Sequence, residues 1–178
     1  MDAAGAYLDE AFRSLRGYRR LGEGAMAQVS DEQLFVQLDP ESNSIAVIVR
    51  HLNGNMKSRF TDFLVSDGEK PWRNRDQEFE QPAGSTRAEV MQAWDEGWDL
   101  VLSTVKSLQP ADVGRTVTIR GEPHTVLQAV SRQVAHYAYH VGQIVFVAKH
   151  LRSSEWKSLS IPRGKSAEFN RDPERFLK

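Results

Sequence analysis

The chain has 178 residues, 40% of them apolar and 26% charged, with a net charge of −1 and no cysteine. This length suits one domain with a proper hydrophobic core, and the near-neutral charge gives no basic field for nucleic acid or an anionic membrane. Without cysteine there are no disulfides, zinc–thiolate sites or cysteine nucleophiles. No apolar run approaches the roughly 18 residues of a transmembrane helix. The opening MDAAGAYLDEAFRSLRGYRR has no apolar stretch of the signal-peptide kind, so a cytoplasmic location is the expectation.

In chain order, Asp2 is placed to cap a first helix, in which Ala4, Leu8, Ala11, Leu15 and Tyr18 recur at spacings of three and four. Gly22 and Gly24 should weaken its end. Ser30 with Gln33 has the form of a capping box opening one short turn, and Asp39-Pro40 breaks the chain. A second helix is expected from Asn43 or Ser44, with Ile45, Ile48, Leu52, Met56 and Phe63 as its core stripe. His51 falls on the flank of that stripe with Val47, Asn55, Ser58 and Asp62, a mixed and more polar side.

Ser66 to Gly84 reads as a long loop, broken by Asp67-Gly68, Pro71, Pro82 and Gly84. Loops of that length inside compact domains tend to be functional. It carries Arg73 and Arg75, which could grip an anion, although Asp76, Glu78 and Glu80 make a solvated mixed-charge loop an equal reading. Thr86 and Glu89 form a capping box for a third helix, followed by the seam Met91, Trp94, Trp98, Val101, Val105 and Leu108, with Pro110 as its stop. Thr116 to Ile119, Gly121-Glu122 and the residues after them are a candidate minor hairpin.

Thr125 and Gln128 open a fourth helix expected to run to about Leu151. Its stripe is centred on Val130, Val134, Val141, Val145 and Ala148, with Tyr139 and Phe146 on the opposite side. A helix this apolar needs a cover on its second face, either the tail or another subunit. From Arg152 the chain reads as irregular, anchored by Trp156, Ile161-Pro162 and Phe169. Gly164-Lys165-Ser166 lacks the preceding glycine and the strand-to-helix setting of a phosphate-binding loop, and is a tail turn. The reading is a single domain over residues 1–178, with a core over 1–151 and an extension over 152–178.

His136 and His140 stand one turn apart on one flank of the fourth helix, a spacing at which two imidazoles can ligate one ion. Tyr137 occupies the place where a zincin motif needs glutamate. His51, on the flank of the second helix, is the best third ligand if the two flanks face one another across a cleft. His124 precedes the helix and His150 lies about 15 Å further along it, so both fit less well. Three neutral ligands would leave an open position, the pattern of a catalytic site.

These residues resemble the DinB-like superfamily of helical-bundle proteins. The match is carried by Asn43-Ser44-Ile45 through His51-Leu52 with Gly54-Asn55, and by His136-Tyr137-Ala138-Tyr139-His140-Val141-Gly142-Gln143-Ile144. The tail from Trp156 to Ser166 looks like that of a branch without an assigned function. The resemblance implies an all-α four-helix bundle, commonly dimeric, with a divalent metal, zinc or nickel, on His51, His136 and His140. It further implies a transferase joining a low-molecular-weight thiol to an electrophilic small molecule. A metal-dependent hydrolase and a non-catalytic metal-binding bundle are the alternatives. No nucleic-acid or membrane partner is expected.

Overall fold

The structure is a computed structural model and describes residues 2–81 and 84–172. Pro82, one of the expected loop breakers, and the end of the tail, residues 173–178, lie outside the described residues. The fold is mostly helical, with one two-stranded sheet among the described residues.

Helix α1 spans Ala3–Met26, and the Asp2 side chain accepts from the Gly5 amide at its start. It runs straight through Gly22 and Gly24, contrary to the expected weak end. Gly22 is buried, and a Cβ there would stand 2.3 Å from the Trp94 ring. Close helix packing therefore outweighs the roughly 1 kcal/mol that glycine costs a helix. The Ser30–Gln33 box forms reciprocally and opens a single 3-10 turn at Glu32–Phe35.

Helix α2 spans Ile45–Phe60, capped by Ser44. It ends before Phe63, because Thr61 turns extended and Asp62 takes φ 52°. Phe63 still reaches the core, its ring stacked 5.3 Å from that of Phe60. Asp62 thereby leaves the flank assigned to it and is exposed. Val47, His51, Asn55 and Ser58 on that flank are all buried, so the flank is an interior wall rather than a polar edge.

Helix α3 spans Arg87–Ser107 behind a complete Thr86–Glu89 capping box. Its seam is as expected, except that Val90 is buried while Met91 is only partly so. The hairpin forms between β1, Thr116–Ile119, and β2, Glu122–Thr125, paired antiparallel with Val117 opposite His124. Its turn residues Arg120 and Gly121 have φ of 58° and 77°, the left-handed pair that a two-residue hairpin turn requires.

Helix α4 spans Val126–Arg152, about 40 Å long. Its buried arc is centred on Val126, Tyr137 and Ile144, rotated roughly 60° from the expected stripe. Val134 and Val145 are consequently only partly buried, and the His136–His140 flank turns inward. The fully buried Tyr137 hydroxyl donates to Asn55 Oδ1 across 3.2 Å, tying α4 to α2.

The four long helices surround one core, α1 packing on α3 and α4 and α2 on α3 and α4. The described part of the tail does not cover the outer face of α4. Leu159 packs on Gly24, and Lys157 exchanges hydrogen bonds with the Gln28 side chain at the end of α1. Tyr139 and Phe146 are left 61% and 66% exposed. The tail also holds a short helix α5, Ser166–Arg171, where irregular chain was expected.

Candidate metal centre

His51 on α2 and His136 and His140 on α4 converge. Their ring centroids are 5.4 Å (His51–His136), 4.8 Å (His51–His140) and 4.6 Å (His136–His140) apart. One nitrogen from each lies within 4.8 Å of the others, so the three could hold a metal ion. Nitrogens bound to one ion at about 2.0–2.1 Å stand nearer still, a gap that small side-chain rotations close.

The outer nitrogens are already committed. His51 Nδ1 donates to Glu78 Oε2 at 2.9 Å, and His140 Nδ1 donates to Gln143 Oε1 at 2.8 Å. Gln143 in turn donates to the Tyr139 hydroxyl at 3.1 Å. A proton fixed on Nδ1 leaves the Nε2 lone pair of each ring for a metal. His136 Nε2 is buried and has no partner among the described residues. A buried nitrogen without a partner is costly in a folded protein, and a metal ion would satisfy it.

The electrostatics suit the same role. Burial pushes His136 down to about 3, with His140 and His51 adding to the effect. Burial likewise takes His140 down to about 4, against the Gln143 hydrogen bond, which raises it. Both rings are neutral at pH 7, the form that ligates metals.

Glu78 anchors the centre from the long loop. Its side chain sits in a 3-10 turn at Asp76–Phe79 and is only 8% exposed. Arg73, 2% exposed, clamps it through two bonds, Nε to Oε1 at 2.7 Å and Nη2 to Oε2 at 2.8 Å. Burial alone would raise the Glu78 carboxyl, but the hydrogen bonds from Arg73 and His51 outweigh it and hold the group below the usual carboxylate range. Room for it comes from Gly54 on α2, where a Cβ would stand 2.2 Å from Glu78 Oε1. Phe79 from the same turn stacks on His51 at 4.8 Å.

A cavity of about 370 Å³ opens onto the three histidines. Its wall includes Gln133, whose Oε1 is buried without a partner among the described residues, and Arg59, whose Nε is likewise unpartnered among them. The histidines set aside by sequence are elsewhere. His124 lies on β2 with its Nδ1 on the Glu122 carbonyl, and His150 is exposed in the last turn of α4. Arg73 proves to be a buried partner of Glu78 rather than a free grip on substrate, while Arg75 stays exposed on the cavity wall. Glu78 was not separable by sequence from its acidic neighbours Asp76 and Glu80. Only its contact with Arg73 and the space at Gly54 distinguish it.

A family model described as a protein of unknown function (DUF1572) matches residues 2–165. No curated protein and no solved structure matches the chain.

Proposed function

We propose that this chain, which belongs to the DUF1572 family of proteins of unknown function, binds a divalent metal through His51, His136 and His140 and transfers a low-molecular-weight thiol to an electrophilic small molecule. The carrying observation is the buried, unpartnered His136 Nε2 at the convergence of two rings whose Nδ1 atoms are held by Glu78 and Gln143. The proposal includes membership of the DinB-like superfamily, with its four-helix bundle. It is supported by the placement of the His51 and His136-x-x-x-His140 motifs on facing helices.

A zinc or nickel ion bound there would supply Lewis acidity, lowering the pKa of a thiol at its open position. Three neutral imidazoles leave that acidity undiminished. The protein's own residues orient and enclose. Glu78 and Gln143 fix the ring tautomers, and Phe79 packs against His51 on the loop side. The cavity volume falls in the range of small-molecule sites, and a chain without cysteine needs the thiol to arrive with the substrate.

Incubating metal-loaded protein with a thiol such as bacillithiol and a test electrophile decides the reaction. A conjugate that forms only with protein and metal supports transfer. Consumption of the electrophile without thiol points instead to hydrolysis, and no turnover with metal bound points to a binding protein.

The assembly we propose is a homodimer in which a second copy covers Tyr139 and Phe146, since Lys157 and Leu159 of the tail pack at the end of α1 instead. Sedimentation of wild type and Phe146→Glu tests this, a monomeric wild type refuting it. No helix among the described residues is long and apolar enough to cross a membrane. The proposed setting is the cytoplasm.

A further inference from the structure

The cavity at the three histidines is lined by Arg59, Arg73, Arg75, Arg120 and Arg132 and, among the described residues, by no acidic side chain. Helix periodicity puts two of them, Arg59 and Arg132, at one end of it. On α2, His51, Asn55 and Arg59 follow at intervals of four, and on α4, Arg132, His136 and His140 do the same. The two helices run in opposite directions here, His51 lying beside His140 and Asn55, one turn on, meeting Tyr137. Arg59 and Arg132 therefore fall at the same end, about one helical turn from the ligand set.

The positive charge is not balanced by the protein. Glu78 is taken by Arg73, and Glu69 is shared between Arg120 at 2.8 Å and Arg59 at 3.2 Å. Arg75 and Arg132 have no acidic partner among the described residues. Arg75 is held in place over the Phe79 ring, 4.9 Å from its centroid. Arg59 is 5% exposed, and its Nε is a buried donor with no acceptor among the described residues. Burial lowers its pKa, as expected of a cation short of counter-charge. A buried guanidinium with an unused donor, lining the same cavity as two guanidiniums without an acidic partner, points to a site for an anion.

We infer that the small-molecule substrate of this centre carries a carboxylate or phosphate, gripped by Arg59, Arg75 and Arg132 while its reacting group lies at the histidines. The inference rests on the metal-centre reading for the second half of that statement only. The anion grip is a property of the arginines themselves.

Two measurements separate these parts. The first uses metal-free protein and inorganic phosphate at low salt, followed by calorimetry. Wild type should bind, and the Arg75→Gln/Arg132→Gln double variant should bind about tenfold more weakly or worse. Both side chains are exposed, neither has an ion pair among the described residues, and the Arg75 contact with Phe79 lies at the surface, so the variant should stay folded. Equal binding by the two proteins, or none by wild type, overturns the anion grip. The second uses cobalt-loaded protein and compares 3-mercaptopropionate with 3-mercaptopropanol by the sulfur-to-cobalt absorption band. The anionic thiol should saturate at about tenfold lower concentration, and the gap should close in the double variant. Equal saturation by both thiols in wild type overturns the inference for a thiol substrate while leaving the metal centre standing. Failure to bind cobalt refutes the metal centre and leaves the phosphate measurement to decide the anion site.

Discussion

His51 Nδ1 donates to Glu78 Oε2 across 2.9 Å, joining the middle of α2 to a residue 27 positions further along the chain in a loop turn. That bond selects which nitrogen of His51 faces the other two histidines. It also makes the loop between α2 and α3 part of the candidate metal centre rather than a connection.

Glu78→Gln should weaken metal binding about 10- to 100-fold, the usual consequence of losing a carboxylate behind a ligand histidine. It should also destabilise the fold by on the order of 3 kcal/mol, because Arg73 is buried and loses its counter-charge. Metal titration and denaturant unfolding of the same preparation check both.

Gly54→Ala displaces Glu78 without removing its charge. The new methyl group would stand 2.2 Å from Glu78 Oε1, the oxygen that accepts from Arg73 Nε, so the carboxylate must shift away from α2 and His51. Alanine is better than glycine within a helix by about 1 kcal/mol, which offsets part of the strain. Metal affinity should fall about tenfold, and the unfolding midpoint should fall less than in Glu78→Gln, because Arg73 keeps a counter-charge. Wild-type affinity in this variant would show that the His51–Glu78 bond does not tune the site.

His140→Ala removes a ligand while the apolar seams of α2, α3 and α4 stay intact. Metal affinity should fall by about two orders of magnitude or more, and the helical signal should persist. If thiol transfer depends on the metal, it should vanish in this variant. Chelating the wild type should have the same outcome, with activity lost and most stability kept. A large loss of stability on chelation would instead mean that metal-binding energy is folding energy.

Asp67 ties the loop to the hairpin turn, accepting from the amides of Glu69 at 2.6 Å, Arg120 at 2.9 Å and Gly121 at 2.8 Å. The backbone bonds from Glu69 and Gly121 hold its carboxyl below the ordinary value of 3.8. The folded pKa is the lower one, so this stabilisation is complete above pH about 4 and is lost as the pH falls through the folded value. Asp67→Asn should unfold a few degrees earlier at neutral pH, and the difference should shrink in acid. A difference that is constant with pH would mean that the carboxylate charge is not what holds the turn.

Sequence by itself determined the four long helices and where each one starts. Asp2, Ser44, Thr86 and Thr125 cap where their side chains can reach an amide two or three residues on, a purely local geometry. The i, i+4 spacing likewise put His136 and His140 on one flank before any packing was known. Tertiary structure alone decided that this flank faces His51, because helical periodicity fixes angles about an axis and not the rotation of one helix against another. The turn of α4 that buries Tyr137 and Ile144 in place of Val134 and Val145 is that rotation. It brings the three rings together. Glu78, Arg59 and Arg132 come from separate elements, and what joins them to the centre is proximity across the core. Local pattern cannot encode that proximity, since what sets Glu78 apart from Asp76 and Glu80 is the Arg73 clamp and the space that Gly54 leaves for it.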